Sequence, residues 1–120
     1  MNLKRHDVGH EWGYGPIMSQ AIEDDSLVHI AGMTAEDRTA PIEVQTAQVL
    51  AKIDGYLADA GSDKSKLLSA LILIADIGLR PRMNKVWQAW IDPLNPPTRA
   101  CVGVQFEGQT NVEIIVVAKK

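Results

Sequence analysis

Cysteine and aromatic residues are scarce in the 120-residue sequence, which has one cysteine, Cys101, and 5% aromatic residues. A single cysteine excludes an internal disulfide and favours a reducing compartment. No apolar run approaches the ~18 residues of a membrane-spanning segment. The N-terminal residues are polar and lack the apolar core of a secretion signal. The composition therefore predicts a soluble, cytoplasmic protein.

Clustered positive charge is also missing, since the net charge is −3 and basic residues are dispersed. Nucleic-acid-binding domains usually carry a basic patch, so a dedicated binder of this kind is not expected. The chain is 46% hydrophobic and 22% charged, which is typical of globular proteins. Its length predicts a single domain, 1–120. So short a chain has little room for a deep pocket of its own, and a second subunit often completes such pockets.

Hydrophobic periodicity predicts six strands and two helices. The strands are predicted at 3–7, 17–23, 27–33, 67–75, 98–106 and 112–119. The first helix is predicted to begin near Pro41, with Thr39 as its N-cap, and to end at Gly61. The second is predicted at 80–91, where the prolines that follow prevent its continuation.

The order of these elements predicts an α+β fold, with one mixed sheet and both helices packed on one face. The nearly continuous apolar run 67–75 predicts a central strand that is covered on both faces. The link 107–110 is short enough to predict that the last two strands form a hairpin. Since two helices cover one face only, an apolar second face would have to meet another subunit.

Arg99 is the first candidate for a binding residue. Strand alternation places it with Cys101, Gly103 and Gln105, opposite a face of apolar side chains. An arginine at the start of a strand often simply reaches solvent. A glycine two residues further on, however, leaves a gap on the same face, and such gaps mark close approach of a ligand. We therefore expect Arg99 to bind a carboxylate with two parallel hydrogen bonds.

Glu113 is the second candidate, because it interrupts the apolar strand 112–118. A charge within a central strand is costly unless it is paired or used. One interpretation is a salt bridge with Arg99 or with a lysine. The other is that a partly buried glutamate holds and activates a water molecule.

Other residues of possible chemical interest have simpler interpretations. Cys101 has no histidine on the last two strands to activate it, so we expect a small, buried apolar side chain whose backbone matters more than its thiol. His6 and His10, with Glu11, have a metal-like spacing on a helix, but the neighbouring glycines argue against a helix there. Trp87 and Trp90 are expected in the core or an interface, and Asn84 is expected to bind a neighbouring loop.

Several segments together resemble the Rid (reactive intermediate deaminase, YjgF-type) family. Segment 97–104, PTRACVGV, resembles its P-[AT]-R-[AS]-x-V-x-V signature. Further matches follow the family's order along nearly the whole chain. They are Ala31-Gly32, Gln45-Thr46, the LADAG of 57–61, the NKVW of 84–87 and the VEI of 112–114.

The resemblance implies a chorismate-mutase-like α+β fold and a homotrimer with ligand clefts between subunits. It implies hydrolysis of 2-enamine or 2-imine intermediates, of the 2-aminoacrylate type, to 2-keto acids and ammonia without a metal or organic cofactor. Arg99 would bind the substrate carboxylate and Glu113 would position water. The backbone of Cys101 would contact the imine nitrogen, and Gly32 and Asn84 would shape the cleft.

Two departures from the family pattern concern the same cleft. Archetypal members have a tyrosine where this chain has Ile17, and a serine where it has Ala31. Tyr14 is close to Ile17, but a one-residue slip turns a strand residue to the other face. Loss of two hydroxyls leaves a non-catalytic binder of keto acids, regulating a partner enzyme, as an alternative to the deaminase. RNA cleavage, an activity attributed to some relatives, fits poorly with the acidic balance and with the absence of a histidine base on the strand that carries Arg99.

Overall fold

The computed structural model describes residues 2–10 and 16–120. Within them, one sheet has six strands, and two α-helices pack on one of its faces. The strands are β1 (Lys4–His10), β2 (Pro16–Glu23), β3 (Leu27–Met33), β4 (Leu67–Ile74), β5 (Thr98–Gly103) and β6 (Val112–Lys119), and the helices are α1 (Ile42–Asp59) and α2 (Arg80–Trp90). The predicted α+β class and mixed sheet are confirmed.

The sheet has the strand order β1-β2-β3-β6-β4-β5, in which β4 pairs parallel to β5 and antiparallel to β6. The predicted hairpin between the last two strands is therefore wrong, because β4 lies between them. The connecting chain turns around the end of β4, where the Val104 N–H donates to the Ile74 carbonyl (2.9 Å) and the Ala75 N–H donates to the Asn111 carbonyl (2.9 Å). This turn also ends β5 at Gly103, three residues before the predicted end.

The two ends of α1 are capped in different ways. Pro41, and not Thr39, is the N-cap, and no side chain caps the helix there. The N–H and hydroxyl of Thr39 donate instead to Asp37 (3.0 and 2.6 Å). At the other end, Gly61 has a left-handed φ of 74°. The Ser62 N–H then reaches the Leu57 carbonyl at 2.8 Å, which is the Schellman termination predicted for a glycine at this place.

Helix α2 packs on α1 and on the edge of the sheet. Its buried side chains are Met83 and Trp87, and Arg82 donates two hydrogen bonds to Glu43 of α1 (2.9 and 2.7 Å). None of the helices in the described part of the chain is long and apolar enough to cross a membrane.

The two faces of the sheet differ in how they are covered. Side chains of β4 and β6 alternate, so that Ile72 and Ile114 are buried beneath the helices while Leu71 remains 38% exposed on the other face. On neighbouring β5, Val102 is 43% exposed. The prediction that β4 is covered on both faces is thus wrong for a single chain. The uncovered side, called the open face below, is apolar where Leu71, Val102, Ile115 and Val117 lie.

Candidate functional site

Arg99 lies on the edge strand β5 and faces the helix-covered side of the sheet. Its Nη1 donates to Oδ1 of Asn84 in α2 at 2.8 Å. Its guanidinium carbon lies 5.6 Å from the centre of the Trp87 ring, within the range of a cation–π contact. Asn84 was expected to bind a neighbouring loop, but its partner is Arg99 on a strand. The side chain remains exposed, so a held guanidinium has donors left for a carboxylate.

Glu113 lies on β6 and faces the open side, opposite Leu73 of β4. Its side chain is half-buried, and within the described residues it has no hydrogen bond or ion pair. Gly32 of β3 makes its position possible, because a Cβ atom at residue 32 would lie 2.5 Å from Oε2 of Glu113. No real Cβ approaches an oxygen so closely, so the glycine provides the space that the carboxylate occupies.

Arg99 and Glu113 therefore do not meet within one chain. The register places Arg99 opposite Ala70 and Glu113 opposite Leu73 of β4. Three residues along the strand and two strand spacings across put their Cα atoms about 14 Å apart, and their side chains point to opposite faces. A salt bridge between them in the same chain, one of the interpretations from the sequence, is wrong.

An open cleft of about 620 Å³ adjoins Glu113 and Gly32. Two basic side chains that the sequence analysis did not single out, Arg38 and Lys52, also line it, as do Gln105 and Phe106. Neither basic residue carried a signal in the sequence. Arg38 is an isolated arginine in a polar loop, and Lys52 is one of several polar residues on α1.

The loops around this cleft depend on Gln45, which is fully buried on α1. Its Nε2 donates to the carbonyls of Arg38 and Ala40 (both 3.0 Å), and its Oε1 accepts from the Asn111 N–H at 2.9 Å. One amide therefore ties the loop after β3 to the loop before β6. In the sequence, Gln45 belongs to one of the segments that match the family, and no local signal indicates this role.

The remaining predicted site residues lie on β5, β3 and β2. Cys101 is half-buried on the helix-covered side, where it packs against the core. Ala31 precedes Gly32 and is half-buried, while Ile17 on β2 is 53% exposed. Tyr14 and Glu11 lie outside the described residues.

His6 belongs to a separate, structural cluster. Its Nε2 lies 2.7 Å from Oε2 of Glu23, and Nζ of Lys120 lies 2.7 Å from the other oxygen. These contacts, first from Lys120 and then from His6, hold the pKa of the Glu23 carboxyl below its usual value. Among the side chains that the structure describes, which do not include that of His10, no three from His, Cys, Asp or Glu are grouped to bind a metal.

Trp87 and Trp90 make a tilted aromatic pair, with ring centres 5.4 Å apart. Trp87 is buried in the core and supports Arg99. The Trp90 indole N–H donates to Asp54 of α1 at 2.9 Å. This pair was expected in the core or in an interface. Trp87 lies in the core, and Trp90 contacts the neighbouring helix α1.

Comparison with known proteins places the chain in a family. The family model described as Endoribonuclease L-PSP matches residues 16–120. A RutC family protein of Haemophilus influenzae is 40% identical over 106 residues, covering 84% of this chain and 89% of the relative. The RutC family protein YoaB of Escherichia coli is 33% identical over 119 residues, or 98% of each chain.

Solved structures agree with the sequence matches. A YjgF-family protein from Neisseria meningitidis superposes with a TM-score of 0.90 at 36% identity, over 100% of this chain and 96% of that one. A Rid-family protein of unknown function, YyfA from Yersinia pestis, gives 0.81 at 30% identity over 90% of each chain. The sequence, the fold and these relatives together show that the chain belongs to the Rid family, also called the YjgF or RutC family.

Proposed function

We propose that the protein hydrolyses 2-imino acids, and the enamines that give rise to them, to 2-keto acids and ammonia. The proposal rests on two charged residues that have hydrogen-bonding groups available for a ligand. Arg99 is held by Asn84 and Trp87 with donors to spare, and Glu113 lies beside Gly32 with no partner in the described chain. A carboxylate ligand and a water molecule would complete them.

The proposed assembly is a homotrimer with the site between subunits. The apolar open face supports association, because exposed Leu71 and Val102 would be removed from water by a second copy. Arg99 and Glu113 lie on opposite faces of the sheet, so association of two chains is a simple way for both to contact one ligand. The cleft would then take Arg99, Asn84 and the Cys101 backbone from one chain and Glu113 with Gly32 from its neighbour.

The proposed reaction needs orientation more than strong chemical activation. Arg99 binds the substrate carboxylate, which fixes the imine carbon in position. Glu113 accepts a proton from water, whose oxygen adds to that carbon, and passes this proton to the nitrogen, which becomes an amine. The proton of the new hydroxyl group then moves through Glu113 to the same nitrogen as the C–N bond breaks, so that ammonia leaves and the oxygen becomes the keto group. Holding both reactants in place supplies much of the rate enhancement.

The test is ammonia release from imines that an amino-acid oxidase generates in the same solution. We expect Arg99→Ala to lower kcat/KM about 100-fold, because a charge-assisted pair with the carboxylate is lost. Glu113→Gln should lower kcat with little change in KM. Arg5→Ala, which removes an exposed arginine from β1 at the other edge of the sheet, is the matched control. No acceleration of any imine, or a fully active Arg99→Ala variant, would overturn the proposal.

A second function, binding keto acids without turnover to regulate a partner enzyme, has one observation in its favour. Ile17 and Ala31 bring hydrocarbon to positions where archetypal members carry hydroxyl groups. Calorimetry with small 2-keto acids separates the two functions, since tight binding together with no catalysis would select the binder. RNA cleavage, which the name of the family model suggests, is not proposed, because a net charge of −3 disfavours binding to nucleic acid.

A further inference from the structure

Arg38 is a cation that faces the cleft without a firm partner. It is exposed, and its hydrogen bond, from Nη2 to the hydroxyl of Thr34, is long at 3.4 Å. No carboxylate in the described part of the chain lies within ion-pair distance of it. The residue lines the same cleft as Glu113 and Gly32, so it could contact a substrate that is bound beside Glu113.

The loop that carries Arg38 is held in place from below. Gln45, fully buried, donates to the Arg38 carbonyl at 3.0 Å. The next backbone N–H upstream, that of Asp37, donates to Oε1 of Gln48 on the same helix at 2.9 Å. A backbone fixed at adjacent residues restricts where the guanidinium can reach, which lowers the entropy that ligand binding would cost.

Of the two basic residues that line the cleft, Arg38 is the one available to bind a ligand. Lys52 is already occupied, because its Nζ donates to the Thr34 carbonyl and pairs with Glu36, both at 2.7 Å. Glu107 and Glu113 contribute negative charge to the cleft wall. They would repel a dianionic phosphate more strongly than a monoanionic carboxylate, and a planar guanidinium matches a carboxylate well.

We infer that the substrates favoured by this protein are imino acids with a second carboxylate on the side chain, which Arg38 binds. The inference rests on the proposed imine hydrolysis and adds the substrate class to it. Arg99 would take the carboxylate next to the imine carbon, and Arg38 would take the distal one. The cleft volume of about 620 Å³ lies within the range of about 300–1,000 Å³ found for small-molecule sites.

The experiment compares two kinds of imine made in situ. The dicarboxylic imine is 2-iminosuccinate or 2-iminoglutarate, and the monocarboxylic imine is 2-iminobutanoate. The quantity measured is the ratio of kcat/KM for the dicarboxylic imine to kcat/KM for the monocarboxylic one. We expect wild type to favour the dicarboxylic imines, and Arg38→Gln to lower the ratio about 10-fold or more through the lost charge-assisted bond. Arg38→Lys should restore part of the ratio and Arg38→Glu should lower it further.

Lys66→Gln is the charge-matched control. It removes an exposed cation just before β4, at the end of that strand remote from Leu73 and Glu113, and should leave the ratio unchanged. An unchanged ratio in Arg38→Gln, or no preference in wild type, would overturn the inference while imine hydrolysis stood. If wild type accelerated neither kind of imine, the proposed function itself would fail, and the inference with it.

Discussion

The two faces of the sheet carry similar side chains in opposite circumstances. On β6, Ile114 is fully buried beneath the helices, and its neighbour Ile115 lies on the open face. Polar groups divide in the same way. Glu23 is buried with two partners, His6 and Lys120, while Glu113 has none in the described chain.

This difference distinguishes the residues that stabilise the single chain from those that we propose for association and ligand binding. On the covered face, apolar area is already removed from water and buried polar groups are satisfied. Both conditions stabilise the isolated chain. On the open face, an apolar surface remains exposed, and the Glu113 carboxylate has no partner among the described residues. We propose that association covers the surface and that ligand binding gives the carboxylate a partner.

The largest expected effect comes from adjacent isoleucines. Ile114→Ala should lower the free energy of unfolding by about 2–5 kcal/mol, because it leaves a cavity in the core. Ile115→Ala should cost less, and its deficit should shrink as the protein is diluted, since it weakens association and not the chain itself. Urea unfolding at several protein concentrations measures both. Equal deficits at every concentration would erase the distinction between the two faces.

Leu71→Asp tests the open face directly. A carboxylate placed among Val102, Ile115 and Val117 would have to be buried without a partner in the proposed trimer. We expect the solution mass measured by light scattering to fall to about one third, with helix content by circular dichroism retained. Gln88→Asp adds the same charge to an exposed position of α2 and should leave the mass unchanged. A Leu71→Asp protein with unaltered mass would contradict the assignment.

Gly32→Ala should affect catalysis more than folding. Its methyl group would overlap Oε2 of Glu113, and the flexible carboxylate would move away from the position it needs. We expect kcat to fall about 10-fold, with the melting temperature little changed. Gly55→Ala on α1 is the matched control, because its Cβ would meet no atom within 4 Å. It should stabilise the helix by about 0.5–1 kcal/mol and keep full activity.

The smallest expected effect concerns Glu23 on the covered face. Its contacts with Lys120 and then His6 lower the pKa of its carboxyl below the ordinary 4.5. A carboxyl with a lowered folded pKa adds stability above about 4.5, and this contribution is lost as the pH falls through the folded value. Melting temperatures between pH 7 and 3 should therefore decline less steeply in Glu23→Gln, and Lys120→Met, which removes one of the two contacts, should show a decline between those of wild type and Glu23→Gln. Identical curves would contradict this role.

Local patterns in the sequence were sufficient for most of the fold. The end of α1 at Gly61 and the alternation along β6 follow from backbone preference and side-chain period alone. The hairpin prediction failed because a short link reports only that two strands are near in sequence. It could not reveal that β4, the most apolar segment, pairs between them.

The sequence identified the main residues of the candidate site better than it predicted their relative positions. Arg99 and Glu113 were recognised because a charge near a strand glycine, or within an apolar strand, requires an explanation. Their separation by β4 depends on the register of three strands, which local sequence does not determine. Arg38 was missed because a loop residue has no periodicity, and its position depends on a hydrogen bond to Gln45, seven residues away.

The central claim is that Arg99 and Glu113 act together across two chains, and mixed trimers test it most directly. Arg99→Ala and Glu113→Gln proteins are unfolded together in equal amounts, refolded and assayed for imine hydrolysis. Each cleft then has one chance in four of receiving the intact residue from both sides, so about one quarter of wild-type activity should return. Activity no higher than that of the two variants refolded separately would contradict the account.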